Sequence, residues 1–252
     1  MWSAGRYEAV AQRIAHIADE VVDAIAGRRP LQNATLVDLA CGTGNAALSA
    51  TARGAQVTGV DITPELMDLG AGKRGGGSVT WVAADASDTG LPTGSFDGVV
   101  SNMGIVFVEP ATQVAEIARL IRPGGTLGFS TWVRTDDNPL FDPIVALLGR
   151  PPDRGFTPDQ WGDPEIVEAR LAPDFEDVEI QTGLHTWQFD SLADAMHFVI
   201  DESPMHLAVL DRAEGPQRQT LIAAFDEAMR AHADGDLVSF ASPYAVVTAT
   251  RR

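Results

Sequence analysis

The chain is poor in cysteine, in positive charge and in long apolar runs, and each shortage removes a class of function. Cys41 is the one cysteine in 252 residues, so neither an internal disulfide nor a cysteine-built metal cluster is available. Lys and Arg number 18 against 35 Asp and Glu, a net charge of -17. A phosphate backbone or an anionic membrane is repelled over most of such a surface, which disfavours nucleic acid and leaves small molecules as partners. No stretch approaches the roughly 18 consecutive apolar residues of a membrane-spanning helix, so no membrane insertion is expected. The first residues carry Arg6, Glu8, Arg13, Asp19 and Glu20 instead of an apolar signal core. The expectation is a cytoplasmic protein, monomer or homodimer.

What is present suits one α/β domain over 1–252, since 45% of residues are hydrophobic. Val10, Ile14, Ile17, Val21 and Ile25 recur at helical spacing, predicting an amphipathic helix over 6–27 closed by Gly27, within an N-terminal segment 1–30. Residues 31–133 alternate strand and helix patterns, which implies a parallel sheet covered on both faces and a ligand at the carboxyl ends of the strands. Pro139, Pro143, Pro151, Pro152, Pro158 and Pro164 interrupt the stretch 134–173, read as a substrate-side insertion. Within it Phe156 and Trp161 are expected to roof a pocket, or else to form a small satellite core. A strand at Phe175 to Thr182 follows. A helix capped by Ser191 then opens a second, helical insertion over 184–240, and a last strand covers Tyr244 to Thr250.

The run Val37-Asp38-Leu39-Ala40-Cys41-Gly42-Thr43-Gly44-Asn45 carries the chemistry. Leu36, Val37 and Leu39 read as a buried parallel strand, Gly42 and Gly44 permit a tight turn, and Asn45 begins a helix. About 17 positions beyond Gly44, the strand Val57-Thr58-Gly59-Val60 ends at Asp61, where a two-hydroxyl ribose is usually read. Gly42-x-Gly44-x-x-Ala47 formally satisfies the dinucleotide fingerprint, so an NAD-dependent oxidoreductase is one reading. Asp38 argues for another. A pyrophosphate gains nothing from a neighbouring anion, whereas S-adenosylmethionine carries an ammonium and a sulfonium. A carboxylate roughly 4 Å from a cation is worth on the order of 4 kcal/mol at an intermediate effective dielectric, before desolvation.

On these residues the chain resembles the class I S-adenosylmethionine-dependent methyltransferases, whose usual motif Asp-x-Gly-x-Gly-x-Gly stands here as Asp38 to Gly44 with Ala40 in place of the first glycine. Asp85-Ala86 resembles the acidic pair that holds the adenine amino group. Ser95 to Asn102 resembles the fourth strand, and Leu120 to Leu127 the helix end, turn and fifth strand. The branch it looks like is the ubiquinone-biosynthesis type. The resemblance implies a Rossmann-like, seven-stranded, mostly parallel sheet with an antiparallel last strand, helices on both faces and a helical insertion as lid. It implies S-adenosylmethionine as cofactor, held by Asp38, Ala40, Cys41, Gly42, Thr43, Gly44, Asn45, Asp61, Ile62, Asp85, Ala86, Asn102 and Met103. The implied reaction is methylation of oxygen, carbon or nitrogen of a small, fairly apolar acceptor, with no metal required.

Candidate acceptor-side residues are Tyr7, Met103, Val106, Trp132, Phe156 and Trp161. A base is needed only for an acceptor that starts protonated, and His185 and His206 are the candidates because they fall in segments expected to overhang the crevice. A protein that binds the cofactor without methyl transfer, or a cyclase, is a further reading. The plainer roles are helix capping for Asp38 and Asp61, a turn for Asp85, packing for Cys41, and for Asp97 ordering of the loop that enters its strand.

Overall fold

The computed structural model describes residues 6–149 and 155–252; residues 1–5 and 150–154, with Pro151 and Pro152, lie outside the described residues. The contact pattern divides the chain into two compact units. A sheet unit comprises Ile14–Arg134, Arg154–Gly183 and Tyr244–Arg252, and a helical unit comprises Met1–Arg13, Thr135–Asp153 and Leu184–Pro243. Part of the proline-rich stretch, from Gly155 onward among the described residues, thus groups with the sheet.

Five strands, β1 (Thr35–Leu39), β2 (Gln56–Asp61), β3 (Thr80–Ala83), β4 (Phe96–Asn102) and β5 (Ile121–Trp132), pair in parallel. Together with β6 (Phe175–Phe189), the two-residue β7 (Ala233–Asp234) and β8 (Leu237–Arg251) they form one sheet in the order β3-β2-β1-β4-β5-β8-β6, with β7 pairing β8 off this path. β8 runs antiparallel to β5, from Thr126 opposite Thr250 to Trp132 opposite Tyr244. This seven-strand path, with its antiparallel last strand, is the one the family resemblance implies, and β8 lies between the fifth and sixth strands. Leu36, Val37 and Leu39 are wholly buried because helices cover both faces, which is why the strand is apolar at successive positions apart from Asp38.

The first helix differs from its pattern. Ile14, at φ -104° and ψ 11°, separates α1 (Tyr7–Arg13) from α2 (Ala15–Arg28), and Gly27 stays inside α2. α2 buries Ile17, Val21, Val22 and Ile25. It packs against Gly128 of β5, where a Cβ would come 2.6 Å from the Ile25 side chain. α3 (Asn45–Ala52), α4 (Pro64–Gly72), α5 (Pro110–Leu120) and α7 (Pro164–Leu171) complete the helices of the sheet unit, and α6 (Asp142–Leu148) belongs to the other unit. β6 also outruns the expected end at Thr182. Gly183 resembles a strand terminator, yet a Cβ there would lie 2.3 Å from the Tyr244 ring, so the glycine serves close packing inside a continuing strand.

In the helical unit α8 (Leu192–His197) begins at Ser191, whose hydroxyl accepts from the Asp194 N–H at 3.1 Å as a cap should. A π-helical turn Phe198–Glu202, α9 (Pro204–Leu210) and α10 (Pro216–Ala231) follow. The core of this unit is aromatic, with Trp187, Phe189, Phe198, Phe225 and Phe240 buried and the Arg13 guanidinium 4.5 Å over the Phe189 ring. No helix among the described residues is long and apolar enough to cross a membrane.

The amino-terminal edge of the sheet is locked by Asp97 at the start of β4. Its buried carboxylate accepts from the Thr35 N–H at 2.8 Å and the Thr35 hydroxyl at 2.9 Å, and pairs with both Arg29 and Arg122. Asp97 therefore orders the start of two strands and the end of α2.

Candidate active site at the carboxyl edge of the sheet

β1 sets Asp38 opposite Gly59 of β2 and Val100 of β4, and the chain then turns through Ala40, Gly42 and Gly44, all left-handed, at φ 51°, 54° and 82°. The Gly44 N–H donates to the Cys41 carbonyl at 2.8 Å, and the Cys41 N–H to the Val60 carbonyl at 2.9 Å. Asp61 holds the turn from the next strand, one oxygen accepting from the Gly42 N–H and the other from the Thr63 N–H, each at 2.8 Å. Asp61 therefore positions the turn as well as presenting a carboxylate beside it.

Asp38 is 1% exposed. Its Oδ2 accepts from the Ala47 N–H at 2.8 Å in the first turn of α3, while Oδ1 has no hydrogen-bond partner among the described residues. Burial pushes the carboxyl up to about 8, the Ala47 N–H pulls against that rise, and the charge of Asp61 adds to it. One oxygen serves the helix and the other is buried without compensation, an arrangement that a cationic group would complete. A phosphate is disfavoured at the same place, because the first turn of α3 already receives a carboxylate oxygen.

Cys41 is buried, its thiol 3.8 Å from the Gly42 carbonyl oxygen, and burial with the charges of Asp38 and Asp61 pushes it well above its ordinary value. A thiol held protonated is a packing group.

Trp81 of β3, which the sequence reading did not single out, supports the turn from below. Added Cβ atoms on Gly44, Gly59 and Gly70 would fall 2.5, 3.0 and 2.7 Å from its ring, so three glycines form the niche it fills. Its Nε1–H donates to the Gly76 carbonyl at 3.0 Å. Ser101 and Gly104 were also missed. The Ser101 hydroxyl donates to the Leu39 carbonyl at 2.7 Å and accepts from the Ile105 N–H at 3.2 Å. A Cβ on Gly104 would lie 2.7 Å from the Ala40 methyl and 2.5 Å from the Ala40 carbonyl oxygen. A small polar residue near the end of a strand and a glycine just beyond it were the signals available.

Met103 directly follows β4 at φ 58°, its N–H donating to the Ser130 hydroxyl at 3.0 Å, and that hydroxyl donates to Asn102 Oδ1 at 2.7 Å. Left-handed non-glycine residues thus stand at the tips of two adjacent strands, the kind of outlier that clusters at functional sites. Ile62, beside Asp61, is 67% exposed. Asp85 accepts from the Ser87 hydroxyl at 2.7 Å and the Ser87 N–H at 2.8 Å, and these bonds hold its carboxyl below the usual range. Ala86 beside it is buried.

Every cofactor candidate lies in the sheet unit, as do Val106, Trp132, Phe156 and Trp161. Val106 is buried, and Phe156 lines a cleft of about 310 Å³ with Glu109, Pro110, Ala111, Gly155 and Arg170. Trp161 is a core side chain. It is 1% exposed, edge-on to Phe129 at 5.3 Å and covered by the Arg170 guanidinium at 4.6 Å. Tyr7, His185 and His206 belong to the helical unit. His185 is buried with its ring edge-on to Trp187 at 4.7 Å. His206 lies 2.7 Å from the Leu140 carbonyl through Nε2 and 2.6 Å from the Ser203 hydroxyl through Nδ1. Burial lowers its pKa to about 4, so it is neutral, donating to Leu140 and accepting from Ser203. Both nitrogens are engaged, which makes it a packed structural histidine.

Residues 37–129 match the family model described as a methyltransferase domain. An uncharacterized protein of Mycobacterium tuberculosis is 31% identical over 190 residues, 73% of this chain and 68% of that protein. The demethylmenaquinone methyltransferase of Clavibacter sepedonicus is 33% identical over 100 residues, 39% of this chain and 41% of that protein. The chain spans about half the length of the first curated relatives it matches, 48% of mycobacterial proteins aligned over 135 residues. Among solved structures, the YcgJ protein from Bacillus subtilis superposes with a TM-score of 0.61 at 18% identity, covering 94% of this chain and 99% of that one, a likeness of fold.

Proposed function

Because this chain belongs to the methyltransferase-domain family, we propose that it transfers a methyl group from S-adenosylmethionine to oxygen, carbon or nitrogen of a small, fairly apolar acceptor. The observation that carries the reading is the buried, unpartnered oxygen of Asp38 beside a turn of left-handed residues. The residues fit the cofactor. Asp38 supplies the counter-charge for its cationic amino-acid end, Gly42 and Gly44 allow close backbone approach, and Asp61 offers carboxylate oxygens to ribose hydroxyls. Ile62 presents an apolar face to the purine, and Asp85 with Ala86 meets its amino edge.

When bound, the cofactor supplies an electrophilic methyl on a sulfonium that leaves as a neutral thioether. The chain's own task is to hold the acceptor in line, exclude water and keep Asp38 ionised against the positive end. Met103 and Asn102, at the tip of β4, are the residues we assign beside the reacting end. The named activity of the Clavibacter relative supports a quinone-like acceptor. The low content of basic residues supports small-molecule over nucleic-acid methylation, by a cytoplasmic monomer or homodimer.

Calorimetry with S-adenosylhomocysteine tests the cofactor, and saturable one-to-one binding is expected. Methyl-labelled cofactor with a panel of phenols, hydroquinones and amines tests transfer. Label appearing in none of them, despite binding, would favour a binding protein instead, and NADH binding in place of the nucleoside would favour an oxidoreductase.

A further inference from the structure

Asp85 to Gly94 has no regular structure beyond a bridge between Asp85 and Asp88, yet it is fastened along its length to one face of α5. Gln113, Glu116 and Arg119 stand three residues apart and so line up on that face. Gln113 Nε2 donates to the Ala86 carbonyl at 3.1 Å. Glu116 Oε1 accepts from the Thr89 N–H at 2.9 Å and the Thr89 hydroxyl at 2.6 Å. Arg119 donates to the Leu91 carbonyl at 2.7 Å and the Thr93 hydroxyl at 2.9 Å, while its own carbonyl accepts from the Gly94 N–H at 2.8 Å. Arg119 also clasps both oxygens of Glu116, at 2.6 and 2.7 Å.

Gln113 and Glu116 are buried, and an amide or a carboxylate in such a place is costly unless the partners are well aligned. Burial alone would raise the Glu116 carboxyl; the bonds from Arg119 and Thr89 outweigh it and bring it down to about 2. An apolar stripe would attach a loop more cheaply. What a row of directed bonds adds is a fixed backbone position at Ala86, Thr89 and Leu91 in turn.

We propose that Gln113, Glu116 and Arg119 are positioning residues that set the Asp85–Ala86 rim against a purine bearing an exocyclic amino group, and so fix the base specificity of the nucleoside site. This rests on the function proposed above. None of the three touches the ligand in this assignment; they act through the loop. Removing one bond of the row lets the rim shift, and the discrimination that depends on a directed hydrogen bond suffers before general affinity does.

The test compares S-adenosylhomocysteine with S-inosylhomocysteine, which carries a 6-oxo group in place of the amino group, by calorimetry on the full chain and on Glu116→Gln and Thr89→Ala. The wild type is expected to prefer the adenosyl ligand. Each variant is expected to lose about tenfold in affinity for it and under threefold for the inosyl analogue, so that the preference collapses. Amide exchange over 86–94 is expected to quicken in the same variants. Should both ligands weaken equally, or the preference persist while only the melting temperature falls, the row merely stabilises the loop and the proposal is overturned. Thr89→Ala carries the test if Glu116→Gln does not fold. A wild type that binds neither ligand refutes the function itself, an outcome distinct from a variant that keeps its discrimination.

Discussion

Asp97 and Asp38 belong to neighbouring strands at opposite edges of one sheet, and the chain treats them in opposite ways. Asp97 receives two donors from Thr35 and two guanidinium groups. Asp38, equally buried, receives one N–H and keeps an oxygen with no partner among the described residues. A carboxylate completed by its own chain is part of the scaffold. One left incomplete at a cost is shaped for something the chain does not contain.

Breaking the scaffold side has the largest expected effect. Asp97→Asn leaves two arginines without their buried counter-charge and should lower folding stability by about 3–5 kcal/mol, measured by chemical denaturation. Ligand affinity of the protein that remains folded should hold. Asp38→Asn should do the reverse, with affinity for S-adenosylhomocysteine falling by about 3 kcal/mol in calorimetry and folding stability changing little near pH 6. Loss of affinity in Asp97→Asn, or none in Asp38→Asn, would erase the division of labour between the edges.

Acidity sharpens the same contrast. Asp38 titrates near 8 in the fold against roughly 3.9 in an unfolded chain, so its contribution to stability is complete at low pH and is lost progressively as pH rises to about 8. A cationic ligand needs the ionised form. Its affinity should therefore climb between pH 6 and 8, by up to about tenfold per unit, and Asp38→Asn should flatten that profile. The smallest effect concerns Ala40. Its left-handed conformation costs about 1–2 kcal/mol, so Ala40→Gly should stabilise the fold by about 1 kcal/mol net, read as a rise in denaturation midpoint.

Much of this was legible beforehand, for reasons that particular residues explain. The parallel strands were readable because two-sided burial leaves apolar residues at successive positions, as at Leu36, Val37 and Leu39, with Asp38 the one break in that run. The acidic tip at Asp38 was readable because it stands directly before a glycine turn. The strand expected over Phe175 to Thr182 runs on through Gly183, a glycine whose reason is the Tyr244 ring, about 60 positions away. Trp161, read as a pocket roof or a small satellite core, packs as a core side chain; its neighbour Arg170 is nine positions on, but Phe129, 32 positions back, is a partner that no local pattern announces. The row on α5 was invisible because its bonds to the loop join residues about 25 to 28 apart, a register that no local pattern encodes.

The bare backbone at Gly104 carries an implication for how this lineage could change. A side chain there would collide with the Ala40 carbonyl oxygen whether position 40 were glycine or alanine, so the backbone alone requires the vacancy. With it, a methyl at position 40, in the turn after the neighbouring strand, fits sterically and costs only its left-handed backbone. Position 40 is thus free to drift between two small residues, whereas position 104 is not.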